Sequence, residues 1–143
     1  MNKDNTAEAA LRKMSSQVEL CSEEVLFNID SEGQWFYQNA PLPSKFARLF
    51  SGILKYIDQE YFLITPVEKV RVEVAAEPFK LVDYQLARDG SVNVTTSIGT
   101  EFHIESVKMF NIFDDKITCD LPNGLNASLN RACYYRYIEE FLA

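Results

Sequence analysis

A Thr-Pro pair at positions 65 and 66 separates two β-type segments and restricts how the chain can fold there. Residues 61–64 read YFLI, and 70–74 alternate apolar and charged side chains like a half-buried strand. Proline has no N–H group to donate, so the two segments cannot form one continuous strand inside a sheet. Residues 65–68 (TPVE) also fit the capping-box template, with proline at the first helical position. We therefore predict a single helical turn or a sharp bend between two strands.

Thr65 and Glu68 have two interpretations at this corner. Their side chains can cap backbone N–H groups, which is the commonest use of these residue types. Alternatively, the corner faces a crevice between two domains, where the Thr65 hydroxyl and the Glu68 carboxylate bind a ligand's hydroxyl or amine. The sequence leaves both interpretations open.

Two helices and several further β-type segments predict an α+β fold. The strongest helical pattern begins after Ser44, a good N-cap, and is closed by residues 58–60. Its apolar side chains recur at the i, i+3, i+4, i+7 spacing of one buried face. They are Phe46, Leu49, Phe50, Ile53, Leu54 and Ile57. Residues 79–121 are mainly β-type, and Asn126 is predicted to cap a terminal helix.

A weak internal repeat relates the two halves of the chain. Shifted by 83 positions, the FNI at 27–29 falls on the FNI at 110–112, and Arg48 falls on Arg131. Both windows read as strand, strand, helix. The repeat predicts two small sheet-plus-helix units, and a crevice between such units is where ligands commonly bind.

These elements predict three parts of the chain. They are a flexible N-terminal tail (1–18) with at best a short helix around residues 7–14, an N-terminal α+β domain (19–78), and a C-terminal mainly-β domain ending in a helix (79–143).

The charge and the cysteine pattern exclude several classes of protein. The chain has 143 residues and a formal charge of −7, and such a surface repels phosphate backbones. No apolar run reaches the roughly 20 residues that span a bilayer, and the N-terminus lacks the apolar region of a signal peptide. Cys21, Cys119 and Cys133 form no CxxC motif, as expected for reduced thiols. We expect a cytoplasmic protein with no nucleic-acid or membrane partner.

The usual catalytic, cofactor and metal motifs are missing from the sequence. His103 is the only histidine, and its position predicts a solvated residue on the polar face of a strand. One histidine and three scattered cysteines cannot assemble a usual zinc site. The five glycines stand alone, which leaves neither a P-loop nor a dinucleotide fingerprint. There is no G-x-S-x-G or H-E-x-x-H motif. We therefore expect no catalytic residues, no metal site and no cofactor, and we expect that the protein is not an enzyme.

Arginine and aromatic side chains are the remaining ligand-binding candidates. Arg48 and Arg131 match in the repeat and lie off the apolar stripes of their helices. A guanidinium group beside Tyr134 suits an anionic or base-bearing ligand, although a structural ion pair is the alternative for each arginine. Trp35 is a candidate for stacking, although a core position is the commoner fate of a tryptophan.

Several stretches of the sequence resemble a bacterial family of unknown function, DUF1285. They are Trp35-Phe36-Tyr37, the segment 45–54 with Arg48-Leu49-Phe50, the segment 61–70, Pro78-Phe79, Asn123-Gly124-Leu125, Ala127, Arg131 and Tyr134-Tyr135. The resemblance covers most of the chain from about residue 20 onward. It implies a duplicated α+β architecture whose second domain is similar to pleckstrin-homology folds. It also implies a binding site between the domains for a nucleotide-like ligand, and a role in signal transduction.

Together, these observations predict a cytoplasmic ligand-binding or sensory module without catalytic activity. Its ligand is predicted to be small and anionic, in the manner of a nucleotide, and to lie between the two units. The predicted ligand-binding residues are Trp35, Arg48, Thr65, Glu68, Arg131 and Tyr134. The alternative is a protein–protein interaction module with no small-molecule ligand.

Overall fold

The computed structural model of the chain describes residues 6–15 and 26–142. The chain groups into two compact units. Of the described residues, the first unit holds 6–15, 26–29 and Trp35–Val74, and the second holds Asp30–Gln34 and 75–142. Cys21 and the parts of the predicted tail outside 6–15 lie outside the described residues.

The first unit contains a six-stranded sheet and two helices among the residues that the structure describes. Its elements are α1 (Ala7–Ser15), β1 (Phe27–Ile29), β2 (Trp35–Tyr37), β3 (Ala40–Pro41), α2 (Ser44–Ser51), β4 (Leu54–Ile57), β5 (Glu60–Ile64) and β6 (Lys69–Val74). The strand order is β3-β2-β1-β6-β5-β4. Strands β1 and β6 are parallel, and the other neighbours are antiparallel.

The second unit contains another six-stranded sheet. Its elements are β7 (Phe79–Leu86), β8 (Val92–Thr96), β9 (Glu101–Ile104), a 3₁₀ turn (Val107–Met109), β10 (Phe110–Ile112), β11 (Ile117–Asp120), β12 (Asn126–Leu129), α3 (Arg131–Tyr137) and a π-helical turn (Ile138–Leu142). The strand order is β10-β11-β12-β7-β8-β9. Strands β12 and β7 are parallel, and the other neighbours are antiparallel.

The two sheets have the same strand order. We number the strands of each unit from one to six in chain order. The first sheet read from β3 and the second sheet read from β9 then both give the order third, second, first, sixth, fifth, fourth. In each unit the first and sixth strands form the central, parallel pair. The predicted α+β architecture of two related sheet-plus-helix units is confirmed.

The residues that match at an offset of 83 do not occupy equivalent positions in the two units, so this part of the predicted repeat is wrong. It places β1, a central strand, on β10, an edge strand. It also equates Arg48, near the end of α2, with Arg131, the first residue of α3. Strand order instead equates Phe27 with Phe79, the first residues of β1 and β7. The identical FNI stretches therefore do not occupy equivalent positions.

The predicted helix through Ile57 is wrong in its second half. Helix α2 ends at Ser51, and Leu54–Ile57 forms the edge strand β4. Asp58 and Gln59 have φ values of 52° and 68° and make a two-residue turn into β5. Two successive left-handed residues reverse the chain in the tight hairpin geometry that a right-handed helix cannot continue.

The two residues predicted as helix N-caps, Ser44 and Asn126, do not occupy N-cap positions. Ser44 is the first residue of α2, Pro43 occupies the N-cap position, and no side chain caps the helix there. Asn126 begins β12, and the cap of α3 is Asn130, whose side chain accepts a hydrogen bond of 2.9 Å from the Cys133 N–H. The chain completes a buried strand before it turns into the helix.

The Thr-Pro corner is a bend between two antiparallel strands. Strand β5 pairs with β6 from Ile64 and Lys69 outward, so residues 65–68 form the connection. No helical turn forms there, and the alternating segment that follows lies within β6, as predicted. The second of the two predicted possibilities, a sharp bend, is the correct one.

Part of the predicted N-terminal tail is packed. Residues Ala7–Ser15 form α1, and Leu11 is fully buried. The Tyr37 hydroxyl donates a hydrogen bond of 3.3 Å to the Met14 carbonyl. Within 6–15 the chain therefore forms the short helix that the sequence allowed, and this helix is packed through Leu11.

Each unit has its own set of buried side chains. In the first unit they include Phe27, Trp35, Phe50 and Leu63, and in the second they include Phe79, Leu81, Tyr84, Val94 and Ile117. Burial of side chains of this size contributes about 1.5–3 kcal/mol each. Among the described residues, no helix is long and apolar enough to cross a membrane.

Candidate anion-binding cleft

A cavity of about 490 Å³ in the second unit is lined by β7, β12 and the start of α3. Its volume lies within the range of about 300–1,000 Å³ that is typical of small-molecule sites. Lys80 comes from β7, Ser128 from β12, and Arg131 and Tyr134 from α3. We call this cavity the cleft.

The paired parallel strands β7 and β12 both contribute side chains to the cleft. Lys80 and Ser128 are direct partners in this pairing, 48 residues apart in sequence. The Lys80 ammonium donates a hydrogen bond of 3.1 Å to the Ser128 hydroxyl, which is 4% exposed. This bond holds the ammonium at the cleft, whereas an exposed lysine is otherwise mobile.

The start of α3 places two further polar side chains in the cleft. The Asn130 cap begins the helix directly after β12, so Arg131 is its first residue. Tyr134 follows three positions later, and residues three or four apart lie on the same helix face. The Arg131 guanidinium lies 5.7 Å from the centre of the Tyr135 ring, a cation–π contact.

Lys80 and Arg131 carry charges that no carboxylate neutralises in the described part of the chain. Every ion pair there involves other cations. Lys80 contacts a neutral hydroxyl, and Arg131 contacts an aromatic ring. In a chain with a net charge of −7, two such cations at one cavity produce a local positive potential.

A third cation of the cleft is neutralised. The Lys116 ammonium lies 2.8 Å from the Glu77 carboxylate, whose side chain is only 11% exposed. The hydrogen bond to Glu77 and the negative charges of Glu77 and Asp115 raise the pKa of Lys116, while burial opposes them. Lys116 is therefore already engaged, which leaves Lys80 and Arg131 available to an anion.

A side-chain network fixes α3 against β7. Arg136 donates hydrogen bonds to the Asp83 carboxylate, the Tyr84 carbonyl and the Glu140 carboxylate at 2.9, 2.9 and 3.0 Å. Its guanidinium lies 4.1 Å from the centre of the Tyr84 ring. Burial, together with the charge of Glu140, raises the pKa of Tyr84 to about 12. The network holds the helix that carries Arg131 and Tyr134.

The first unit contains a smaller cavity of about 380 Å³ beside β5 and β6. Its arginine, Arg71, lies 3.2 Å from the Glu60 carboxylate. Because this cation is paired and Glu73 adds a further negative charge to the lining, the cavity is less suited to an anion than the cleft is.

Two of the six predicted ligand-binding residues, Arg131 and Tyr134, meet at the cleft. Arg48 lies in α2 of the first unit and is exposed. Lys80 and Ser128 were not predicted, because a single lysine in a strand carries no signal. Their proximity depends on the pairing of β7 with β12, which the sequence pattern does not give.

Thr65 and Glu68 meet at the bend between β5 and β6. The Thr65 hydroxyl accepts hydrogen bonds from the backbone N–H groups of Val67 and Glu68 at 3.3 and 3.0 Å. Thr65 is 8% exposed. These contacts favour the capping interpretation of Thr65, and its hydroxyl oxygen is directed at the backbone.

Trp35 is a core residue of the first unit. It is 2% exposed, so neither face of its ring is open to solvent. Its indole N–H makes no hydrogen bond within the described part of the chain. The burial gives no support to the predicted stacking role.

The comparisons with known proteins identify the family. The chain is 50% identical to a family DUF1285 protein from Shewanella baltica OS155 of known crystal structure, with a TM-score of 0.77. The match covers 84% of this chain and 95% of that one. The chain belongs to the DUF1285 family. The model of the DUF1285 N-terminal domain, a domain of unknown function, matches residues 19–76 of this DUF1285 protein.

A second solved structure agrees with this assignment. This DUF1285 protein is 29% identical to a family member from Silicibacter pomeroyi DSS-3, with a TM-score of 0.68. That match covers 81% of this chain and 69% of the other. No curated protein matches the chain.

Proposed function

We propose that this DUF1285 protein binds a small anionic ligand in the cleft, through Lys80 and Arg131. One observation carries the proposal: two cations without carboxylate partners line one cavity of ligand size in a strongly acidic protein. The Ser128 and Tyr134 hydroxyls lie in the same lining and add hydrogen-bonding groups of the kind that orient a ligand.

The proposal is binding without catalysis. The sequence contains no recognised catalytic motif, and the cleft lining holds neither a histidine nor a cysteine. A nucleotide-like ligand, a site between the units and a role in signal transduction are implied by the family resemblance and stay predictions. So does the cytoplasmic location.

Calorimetric titration with inorganic phosphate and with AMP tests the proposal. Lys80→Gln and Arg131→Gln each remove one charge from the cleft, while Arg88→Gln removes one from an exposed turn of the same unit. We expect each cleft variant to bind at least one probe about tenfold more weakly, since hydrogen bonds to charged groups contribute about 1.5–3 kcal/mol. The Arg88→Gln variant should bind like the wild type.

A thermal melt provides an independent measurement. A ligand at 100 times its dissociation constant stabilises the folded state by about 2.7 kcal/mol, which raises the melting temperature by several degrees. If neither probe binds the wild type, or if the three variants lose affinity equally, the cleft is not the site.

A second candidate function is protein interaction at the edge strand β10. Ile112 and Phe113, at the end of this strand, are each 53% exposed. An edge strand can accept a strand from another polypeptide through its outer backbone groups. Loss of partner binding in Ile112→Asp, with anion binding unchanged, would favour this function over the first.

A further inference from the structure

The cleft has two electrostatic poles. Lys80 and Arg131 form a basic pole beside β12 and α3. Glu77, Asp115 and Lys116 line the same cleft and form a second pole, which has two negative charges and one positive charge. The basic pole therefore carries a net charge of about +2 and the other about −1 near neutral pH.

Asp115 is the carboxylate that is open to a ligand. Glu77 is bound to Lys116 at 2.8 Å, and its side chain is almost buried. Asp115 is exposed, lines the cavity, and makes no hydrogen bond or ion pair of its own among the residues described. Its charge acts on Lys116 only from a distance.

A ligand with only negative charges would be attracted by Lys80 and Arg131, but it would be repelled by the carboxylate of Asp115. An ammonium group on the same ligand would pair with Asp115 while the acidic group pairs with Lys80 and Arg131. A cavity of about 490 Å³ easily holds a molecule of this kind. A ligand with both charges also meets less repulsion from a chain of net charge −7.

Building on the proposed anion site, we propose that the ligand is a small zwitterion of the amino-acid class. Its carboxylate or phosphate lies at Lys80 and Arg131, and its primary ammonium group lies at Asp115. Asp115 thereby determines specificity, because it distinguishes an amine-bearing acid from the same acid without the amine.

Matched ligand pairs test this inference by calorimetry or NMR titration. Glycine, β-alanine, 4-aminobutyrate and 5-aminopentanoate are compared with acetate, propanoate, butanoate and pentanoate, and O-phosphoethanolamine with ethyl phosphate. We expect at least one amine-bearing member to bind about tenfold more tightly than its partner, since an ammonium–carboxylate hydrogen bond contributes about that factor. The chain length that shows the gain reports the separation of the poles.

Two variants locate the effect. Asp115→Asn should abolish the gain from the amine while leaving the affinity for the amine-free acid unchanged or higher. Asp114→Asn removes the neighbouring charge, which does not line the cleft, and should keep the gain.

The outcomes separate this inference from the proposed function. If acids bind and depend on Lys80 and Arg131, but the amine adds nothing at any length, the zwitterion inference is wrong and the anion site stands. If Asp115→Asn and Asp114→Asn reduce the affinity gained from the amine by the same amount, Asp115 does not determine specificity. If no member of any pair binds, both proposals fail.

Discussion

Replacing Gly33 with alanine should destabilise the second unit more than the same replacement at Gly90 or Gly124, where an added Cβ would meet nothing within 4 Å. Gly33 has a φ of +77°, a conformation that costs an L-residue about 1–2 kcal/mol. A Cβ there would also lie 2.8 Å from the Ser97 hydroxyl oxygen and 3.0 Å from the Lys80 backbone nitrogen. The hydroxyl donates a hydrogen bond of 3.1 Å to the Glu32 carbonyl, and the backbone nitrogen belongs to a central strand.

The Ser97 hydroxyl can move away only by breaking its hydrogen bond, and the Lys80 backbone is held in the sheet, so overpacking adds about 1–3 kcal/mol to the backbone strain. The total expected for Gly33→Ala is about 2–5 kcal/mol, a large part of the roughly 5–15 kcal/mol by which most domains are stable. Urea unfolding followed by circular dichroism measures it.

Gly124→Ala is the matched control for this variant. Gly124 has nearly the same φ, +81°, but a Cβ there would meet nothing within 4 Å. It should therefore cost only the backbone strain of about 1–2 kcal/mol. If the free energy of unfolding falls by the same amount in both variants, the close approach of Gly33 to Lys80 and Ser97 is not present in solution.

Three further variants test separate contacts. Thr65→Ala should lower the free energy of unfolding, measured in urea, by about 1 kcal/mol, because two backbone N–H groups lose their acceptor. Thr65→Ser keeps the hydroxyl and should keep most of the stability. Equal losses in the two variants would contradict the capping role of Thr65. Arg136→Gln should lower the free energy of unfolding by about 1–2 kcal/mol, because it removes two ion pairs that are partly exposed and therefore weak. Arg88→Gln should leave the free energy of unfolding unchanged. Tyr84 ionises near pH 10 in the unfolded chain but only near pH 12 in the folded one, so wild-type stability should fall across that interval as pH rises. Tyr84→Phe should show a shallower fall, and parallel pH curves for the two proteins would contradict the raised pKa.

The sequence predicted those parts of the fold that depend on local chemistry. The alternation in β6 and the proline at position 66 are local signals, and both the strand and the bend were predicted correctly. The helix through Ile57 was wrong because the apolar spacing continued by chance into β4. The turn that ends this strand uses Asp58 and Gln59 rather than glycine, so it carries no recognisable hairpin signal.

The candidate site was predicted only where its residues are close in sequence. Arg131 and Tyr134 share a helix, and their spacing of three places them on one face. Lys80 reaches the same cleft through a parallel pairing with Ser128 across 48 positions. Pairing between distant strands depends on the whole sheet, and one lysine among the alternating residues of a strand does not reveal it.

The central claim is that the cleft binds an anion, and an NMR titration tests it most directly. Inorganic phosphate is added to uniformly ¹⁵N-labelled protein, and the backbone amide shifts are followed by residue. We expect the largest changes at Lys80, Ser128, Arg131 and Tyr134, and we expect these changes to be lost in the Lys80→Gln, Arg131→Gln double variant. Changes confined to the first unit, around Arg48 or the bend at 65–68, or no changes at all, would contradict the claim.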